Sequence, residues 1–432
     1  MKKSLQSANA DRFRQMKYSV FSLFRQSLKG NGQWPPIFKE KPVKKRYQII
    51  IVGAGGHGLA TAHYLAENHG INDVLVIDSS WLGGGNTARN TTIVRSDYLL
   101  NASFELKHFA LGLWQSLSQQ VNFNLMVSPR GYVDLAHSDG ELEHFMLRAN
   151  SMRLGGADVE ILDTREIKEL VPSINLHDQQ RFPIAGGLYQ PDGGVVRHDA
   201  VAWGLARSAS QAGVDIIQNC PVIKIISDQC GIVGIRTPNG IIEAEKVLVS
   251  AASGTAKLLQ TADIHLPMDS INVQAMVSEP VKPVLDQVVN YNAGLSYISQ
   301  TAKGELVLGG GTDGYCSTAR RGAFSSLDDS LKRVYQLFPF LSQLRLMRHW
   351  SGTADIPMDG NALCGNTAVK NLTINCGWGY AGFKATPAVG WNMAELLATG
   401  NCPDMLKPFD VSRFETGALI DDAGIGPYPW LH

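Results

Sequence analysis

The sequence predicts a mixed α/β (α+β) fold, in which a Rossmann-type nucleotide-binding domain is interleaved with a mainly antiparallel-sheet domain. The first domain is predicted by a strand, a glycine-rich turn and a helix over residues 49–68, followed by a second strand. The other domain is predicted by apolar runs of strand character that recur after residue 130, between helical stretches.

The individual elements follow from the spacing of apolar residues. The first unit consists of a strand at residues 49–52, a helix at about 57–68 and a strand at 74–77. Further strands are predicted at residues 131–135, 232–236, 246–249, 295–299 and 305–308. Further helices are predicted at residues 105–118, 199–212 and 387–398.

Composition and charge limit the classes of partner and compartment. The chain has 39 basic and 39 acidic side chains, whereas a nucleic-acid-binding protein usually has a basic excess, so we expect no nucleic acid. The six cysteines show no close pairing of the kind that zinc sites use, which predicts reduced thiols and no metal site. Without a long apolar run or a secretory signal, we expect no integral membrane association and a cytoplasmic protein.

The predicted domains are discontinuous along the chain. Residues 1–46 are rich in Lys and Arg and form a separate basic extension. It is either a basic amphipathic helix on an acidic partner or a membrane interface, or a tail that is ordered only by packing on its own complex. The remaining predicted boundaries are residues 47–130, 195–265 and 350–410 for the nucleotide-binding domain, 131–194 and 266–349 for the substrate domain, and 411–432 for a C-terminal tail.

The glycine-rich turn carries the first chemical motif. Gly53, Gly55 and Gly58 form GxGxxG between a strand and a helix, and Asp78 ends the second strand. The three glycines allow a tight turn, close approach of a pyrophosphate and close helix packing, and the carboxylate can accept hydrogen bonds from ribose hydroxyls. The motif alone does not choose FAD over NAD, and a turn that binds nothing is the alternative. The predicted cofactor-binding residues of this unit are Gly53, Gly55, Gly56, His57, Gly58 and Asp78.

Two later glycine-rich segments have a similar character. Residues 81–98 form a loop with Arg89 and Arg95, and residues 375–390 read as a strand, a turn and a helix that begins near Thr386 or Pro387. The N-terminus of that helix would favour negative charge on the pyrimidine side of a reduced flavin.

Longer strings of residues resemble a known family. They are VGAGGHGLATAHYLAENHGI, GGGNTARNTTIVRS, RHDAVAWGLARSASQAGVDIIQNC, CGWGYAGFK and KPFDVSRFETGALID. Over residues 17–422 the chain resembles the FAD-dependent amine oxidoreductases, and among them the beta subunits of heterotetrameric sarcosine oxidases. The resemblance adds these residues to the expected cofactor site: Gly84, Gly85, Asn86, Arg89, Asn90, Thr91, Thr92, Val222, Gly379, Tyr380, Gly382, Phe383 and Lys384.

The resemblance also implies two flavins. FAD would be noncovalent, because no cysteine stands near Gly352, where single-subunit relatives attach it. FMN would be covalent on His198, whose neutral ring nitrogen can bond the flavin 8α-methyl carbon, although a histidine before a helix is ordinarily a cap or a surface residue. Val307 stands where those relatives have an oxygen-activating lysine, so oxygen reduction is expected away from the FAD.

Two cations match the family's substrate positions. Arg95 and Lys384 would clamp a substrate carboxylate, and no general acid is required because the flavin accepts the electrons. Arg95 has ordinary alternatives, since it can pair with Asp97 or with an FAD phosphate, and Lys384 can lie in solvent. Lys303 is a weaker candidate for a cation near FMN, or else an exposed hairpin lysine.

The activity implied by the resemblance is oxidative demethylation of sarcosine to glycine. Hydride would pass to FAD, and electrons would pass to FMN and then to oxygen, giving hydrogen peroxide. The implied partners are alpha, gamma and delta subunits, with folate bound through the alpha subunit. One alternative is an FAD-dependent amine or imino-acid dehydrogenase subunit that acts on proline, opines or dimethylglycine. Another is a noncatalytic scaffold that keeps a nucleotide for stability.

Overall fold

The computed structural model describes residues 20–28, 41–177, 180–291 and 296–422. The chain divides into two compact units, Met1–Lys39 and Glu40–His432. The described part of the first unit is a helix, α1, at Val20–Leu28. The rest of the predicted extension up to residue 40, residue 295 of a predicted strand and residues 423–432 of the predicted tail lie outside the described residues.

A largely parallel sheet is built around the first predicted strands. β1 (Arg46–Val52) lies between β2 (Val74–Ile77) and β12 (Gly240–Val249), and the three strands are parallel. Their apolar side chains are almost fully buried, as expected for parallel strands that are covered on both faces. The other strands of this sheet are β9 (Asp215–Ile217), β10 (Lys224–Asp228), β11 (Gly231–Thr237), β18 (Leu363–Asn366) and β19 (Leu372–Cys376).

Two helices pack together beside this sheet. α2 (Gly56–His69) confirms the helix predicted after the first strand, and it packs against α9 (Gly382–Thr399). A Cβ at Gly390 would lie 2.4 Å from the Cβ of Ala60, so glycine allows the two helices to come this close. α9 begins one turn earlier than predicted. We expected proline near the helix start, but Pro387 lies inside α9, where its missing N–H removes only one helical hydrogen bond.

The second sheet has eight strands and is almost entirely antiparallel. Among the described residues, β5 and β14 are the one pair of this sheet that runs in parallel. Its strands, in spatial order, are β17 (Leu346–Pro357), β13 (Met268–Pro280), β16 (Glu305–Cys316), β15 (Ser296–Gln300), β14 (Val288–Tyr291), β5 (Tyr132–Ala136), β7 (Gly186–Gln190) and β6 (Glu160–Leu162). The two sheets confirm the predicted mixed fold class, with a parallel sheet and an antiparallel sheet whose strands alternate along the chain.

Short elements connect the two sheets. A three-stranded sheet has the order β3 (Ile93–Val94), β8 (Gly194–Val195) and β4 (Ser128–Pro129). The long helix α3 (Asn101–Gln120) follows β3, and α6 (His198–Gln211) follows β8. The remaining described helices are α4 (Asp139–Leu154), α5 (Thr164–Leu170), α7 (Gly254–Leu259), α8 (Phe324–Leu337) and α10 (Arg413–Thr416).

The segment after α9 is anchored by a buried ion pair. Arg413 in α10 donates to both carboxylate oxygens of Asp359, at 2.7 and 2.8 Å. Further along, Asp422 accepts hydrogen bonds from the Leu100 N–H at 3.2 Å and from the Ser103 hydroxyl. The C-terminal end of the described chain therefore lies against the start of α3.

No helix among the described residues is long and apolar enough to cross a membrane. Within the same residues, no three His, Cys, Asp or Glu side chains are grouped as metal ligands would be.

Candidate active site

The turn after β1 depends on two glycines. Gly53 has a φ of +119°, and a Cβ there would lie 2.2 Å from the Ser250 carbonyl oxygen. At Gly58 a Cβ would lie 2.0 Å from the Gly53 carbonyl oxygen. Side chains at these positions would collide with backbone, so glycine brings the N-terminus of α2 up against the end of β1.

The middle of this turn faces two threonine hydroxyls. The Gly56 N–H donates to Thr87 Oγ1 at 3.0 Å. A Cβ at Gly55 would lie 3.2 Å from the same oxygen, and one at Gly56 would lie 3.2 Å from Thr386 Oγ1. The Thr386 hydroxyl is buried and has no hydrogen-bond partner among the described residues. Neither threonine was a sequence candidate, because a single threonine in a glycine-rich loop has no distinguishing pattern.

Asp78 holds the loop that follows β2. Its Oδ2 accepts from the Ala54 N–H at 2.8 Å, and its Oδ1 accepts from the N–H and hydroxyl of Ser80 at 2.8 and 3.0 Å. The Cys220 N–H donates to the Asp78 carbonyl at 2.8 Å, and Val222, two residues further on, packs against the hydrophobic core of the parallel sheet. Carboxylate oxygens have several acceptor directions, so these bonds leave capacity for a ribose hydroxyl.

The loop at residues 83–92 is folded by its own side chains. The Arg89 guanidinium donates to the carbonyls of Gly84 and Gly85 at 2.5 and 2.6 Å, and it is thereby directed into the loop. The Asn90 side chain bridges the Thr87 carbonyl at 2.5 Å and the Thr92 N–H at 2.7 Å.

Contacts to the second sheet hold this loop in place. Asn86 Nδ2 donates to the Thr353 carbonyl of β17 at 2.5 Å, and the Thr91 hydroxyl donates to the Tyr297 hydroxyl of β15 at 2.8 Å. The loop therefore lies between the two sheets.

His57 joins the first glycine-rich turn to the C-terminal one. Its Nε2 donates to the Gly382 carbonyl at 2.7 Å, and its Nδ1 accepts from the Asn375 amide at 3.2 Å. Burial lowers the pKa of His57, which keeps the ring neutral and suited to this donor and acceptor pair. Gly379 has a φ of +49°, and Phe383 packs on Trp114 with ring centroids 5.6 Å apart. Segments from opposite ends of the chain thus form one site.

A buried cation pocket lies at the N-terminus of α9. Lys384 is only 6% exposed, and its Nζ donates to the Tyr98 hydroxyl at 3.2 Å and to the Tyr380 carbonyl at 3.5 Å. Burial, and then the charge of Arg95, hold the pKa of Lys384 well below its ordinary value. The alternative of a lysine in solvent does not apply, because the side chain is enclosed.

Arg95 also lies beside Tyr98. Its guanidinium is 5.2 Å from the ring centroid of Tyr98 and 5.0 Å from that of Tyr132. It also forms an ion pair with Asp97, the alternative raised from the sequence. Arg148 shares that carboxylate at 3.5 Å, so two guanidinium groups lie against one acid.

Sequence reasoning missed a third cation, Lys107. It is fully buried, and its Nζ lies 4.1 Å from the ring centroid of Tyr98. Burial lowers the pKa of Lys107 to about 8. A signal was present, because Lys107 occupies a position on the apolar stripe of α3 between Phe104 and Leu111. A lysine on a helix is nevertheless usually solvated, so the sequence alone does not identify Lys107 as a residue of the site.

His198 is the first residue of α6. The flanking residues Arg197 and Asp199 pair at 2.7 and 3.0 Å. Burial lowers the pKa of His198, and its buried Nδ1 has no hydrogen-bond partner among the described residues. The imidazole is thus held neutral. Lys303, by contrast, is exposed in the turn between β15 and β16.

These residues fit an FAD molecule. The turn at residues 53–58 presents small residues and the N–H groups of a helix N-terminus, which suit a pyrophosphate. A buried hydroxyl at Thr386 and a carboxylate at Asp78 lie beside it, and the cation pocket lies beyond His57.

Comparison with known proteins also indicates a protein that binds FAD. A family model described as FAD dependent oxidoreductase matches residues 48–396. The chain is 44% identical to sarcosine oxidase subunit beta of Rhizobium meliloti (strain 1021), over 96% of this chain and 100% of that protein. It is 42% identical to sarcosine oxidase subunit beta of an Arthrobacter species, over 88% and 94%.

A solved structure supports the fold. L-proline dehydrogenase from P. horikoshii superposes with a TM-score of 0.81 at 24% identity, covering 88% of this chain and 100% of that chain. At this identity the likeness concerns the fold. Since the family model covers most of the chain and the relatives are similar over nearly their whole length, the chain belongs to the FAD dependent oxidoreductase family.

Proposed function

We propose that this chain is the beta subunit of a sarcosine oxidase, which binds FAD and oxidises the N-methyl group of sarcosine. The observation that carries the proposal is the enclosed Lys384 side chain at the start of α9, joined through His57 to the nucleotide turn. The similarity to beta subunits over nearly the whole chain supports the choice of substrate. FAD, when bound, supplies the hydride acceptor for oxidation of the CH–NH bond.

The cation pocket would hold the substrate carboxylate. Lys384 Nζ donates to a tyrosine hydroxyl and a carbonyl, and neither group neutralises its charge. Burial and the charge of Arg95 lower its pKa despite the attraction of Asp97, so an incoming carboxylate would restore the ammonium form and gain a charge-assisted hydrogen bond. Arg95 is already paired with Asp97, so we assign it a supporting role in orienting the carboxylate.

The nucleotide end would be held mainly by backbone. The N–H groups at the start of α2 would face the pyrophosphate, and Asp78 would accept from the ribose. We assign the loop from Gly84 to Thr92, and the turn from Gly379 to Phe383, to the flavin half of the same molecule. The hydrogen bonds from the loop to β15 and β17 support this assignment, because they fix the position of the loop.

The proposal includes a second flavin, FMN, bonded to His198. Its support is the neutral imidazole, since the attacking ring nitrogen needs a free lone pair. Mass spectrometry of the denatured chain tests it. The wild type should carry the mass of FMN, and His198→Ala should lose it, whereas the exposed His265→Ala should keep it. Flavin retained on the His198 variant would refute the assignment.

The beta-subunit relatives support a multisubunit enzyme. We propose alpha, gamma and delta subunits as partners, folate bound through the alpha subunit, and electron transfer by way of FMN to oxygen with formation of hydrogen peroxide. All six cysteines are free thiols, which supports a reducing compartment and the proposed cytoplasmic location.

Anaerobic reduction of the purified FAD complex tests the activity. Sarcosine should bleach the flavin absorbance faster than proline, an opine or dimethylglycine at equal concentration, and air should then yield peroxide. Faster bleaching by one of the other amines would identify a dehydrogenase of the alternative kind. If none of these amines bleaches the flavin, the result favours the noncatalytic scaffold that keeps a nucleotide for stability.

A further inference from the structure

Lys107 is a buried cation that the proposed chemistry does not use. It projects from α3 onto the ring of Tyr98, with Nζ 4.1 Å from the ring centroid, and its Nζ lies 5.8 Å from the centroid of the Phe409 ring. The side chain is fully buried, and the hydroxyl of the same tyrosine accepts a hydrogen bond from the enclosed Lys384.

The surroundings of Lys107 do not explain a lysine there. Its Nζ has no hydrogen-bond acceptor among the described residues. Asp422 exerts an attractive charge effect on it, but that carboxylate already accepts from the amide of Asn361 at 2.9 Å and from the N–H of Leu100 at 3.2 Å. An apolar side chain would fill the same stripe of α3 without the cost of burying an amine.

Three cations surround one phenol ring. Nitrogen or guanidinium carbon atoms lie 4.1 Å from the Tyr98 centroid for Lys107, 5.2 Å for Arg95 and 5.7 Å for Lys384. Lys384 also donates to the Tyr98 hydroxyl at 3.2 Å. Tyr98 is therefore the physical link between Lys107 and the carboxylate site.

We propose that Lys107 is a positioning residue of that site. Its ammonium group holds the Tyr98 ring by a cation–π contact, so that the hydroxyl stays at Lys384 Nζ, and it adds positive charge behind the bound carboxylate. The inference rests on the proposed function for the identity of sarcosine, but it requires only that the pocket binds a carboxylate.

The charge state of Lys107 makes the inference testable by pH. Burial lowers its pKa to about 8; Arg95 and, across the pocket, Lys384 are cationic neighbours, whereas Asp422 and Cys364 act in the opposite direction. Below pH 8 the ammonium form attracts the carboxylate, and above it this attraction is lost. By linkage, a bound carboxylate raises the pKa of Lys107, and a rise of about one unit corresponds to about tenfold in affinity.

The test compares acetate affinity with pH in three variants of the FAD-loaded complex. Acetate is the probe, and its dissociation constant comes from the perturbed flavin spectrum without turnover. Lys107→Met should bind acetate about tenfold more weakly than the wild type at pH 6.5. The ratio of its dissociation constant to that of the wild type should fall to one or below at pH 9.5. The charge of Lys107 also lowers the pKa of Lys384, so the ratio reports the direct effect of Lys107 on acetate together with its effect through Lys384. The exposed Lys257→Met should match the wild type at every pH.

Lys107→Arg keeps the charge at high pH. It should bind acetate more tightly than the wild type above pH 8, and it carries the test if the methionine variant does not fold. If the ratio of the two dissociation constants does not depend on pH, the role of Lys107 is purely structural and the proposal is overturned. A wild-type affinity for acetate that does not change between pH 6.5 and 9.5 would also overturn it. If acetate behaves as expected while sarcosine fails to reduce the flavin, the proposed substrate is wrong and the role of Lys107 stands.

Discussion

The nucleotide turn and the cation pocket are built in opposite ways. The turn at residues 53–58 consists of backbone from one short stretch of chain, and its shape depends on positions where a Cβ would meet a carbonyl oxygen at 2.0 to 2.2 Å. The cation pocket consists of side chains from distant parts of the chain, at Arg95, Tyr98, Lys107 and Lys384. A substitution in the turn should therefore act through steric clashes, whereas a substitution in the pocket should act through the loss of charge.

The two regions also differ in electrostatics. The turn offers partial positive charge from the N–H groups of a helix N-terminus, at little desolvation cost. The pocket encloses full charges, and desolvation lowers the pKa of both Lys107 and Lys384. We therefore expect the turn to retain its cofactor over a wide pH range, whereas ligand binding in the pocket should depend on pH.

The largest expected effect is at the turn. Gly58→Ala places a Cβ 2.0 Å from the Gly53 carbonyl, a backbone atom that cannot move without separating α2 from β1. We expect FAD content to fall to nearly zero, measured as the ratio of flavin to protein absorbance. Gly112→Ala is the matched control, because its Cβ would meet nothing within 4 Å. Full FAD content in the Gly58 variant would show that close packing of the turn is not needed.

The next effect is confined to the pocket. Lys384→Met should keep FAD but lower kcat/KM for sarcosine about 100-fold, because a hydrogen bond to a buried charge contributes about 2–3 kcal/mol. Steady-state kinetics with a flavin assay checks both parts. Lys257→Met, on the surface, should change neither. Unchanged kcat/KM in the Lys384 variant would remove this residue from the substrate site.

The smallest effect returns to the nucleotide end. Asp78→Asn keeps the shape of the side chain but removes its charge, and one of the Ala54 and Ser80 N–H groups then faces an amide NH2 donor instead of an acceptor. FAD should dissociate about tenfold more readily, consistent with about 1–1.5 kcal/mol for one hydrogen bond. Dialysis against known FAD concentrations measures this. A change in sarcosine KM without a change in FAD affinity would contradict the division between the two regions.

The same contrast explains what the sequence could predict. The strands at residues 49–52 and 74–77 and the helix between them were predictable, because their periodicity and glycines are local signals. The start of α9 was predicted a turn too late, because a proline is typical of the first turn of a helix. The hydrogen bond between Gly382 and His57, at the true start, is a long-range contact that the local sequence does not show.

The cation pocket was predictable only in part. Arg95 and Lys384 were found through family resemblance, whereas Lys107 and the central role of Tyr98 were not. Their importance depends on burial and on the docking of α3 against α9, which no short window of sequence contains.

A crystal structure of the FAD-loaded complex with acetate would show directly whether the nucleotide turn and the cation pocket hold the two ends of one site. We expect the pyrophosphate against the N–H groups of residues 53–58, and the acetate carboxylate within hydrogen-bond distance of Lys384 Nζ beside the flavin ring. Acetate bound elsewhere, or a flavin ring remote from Lys384, would contradict it.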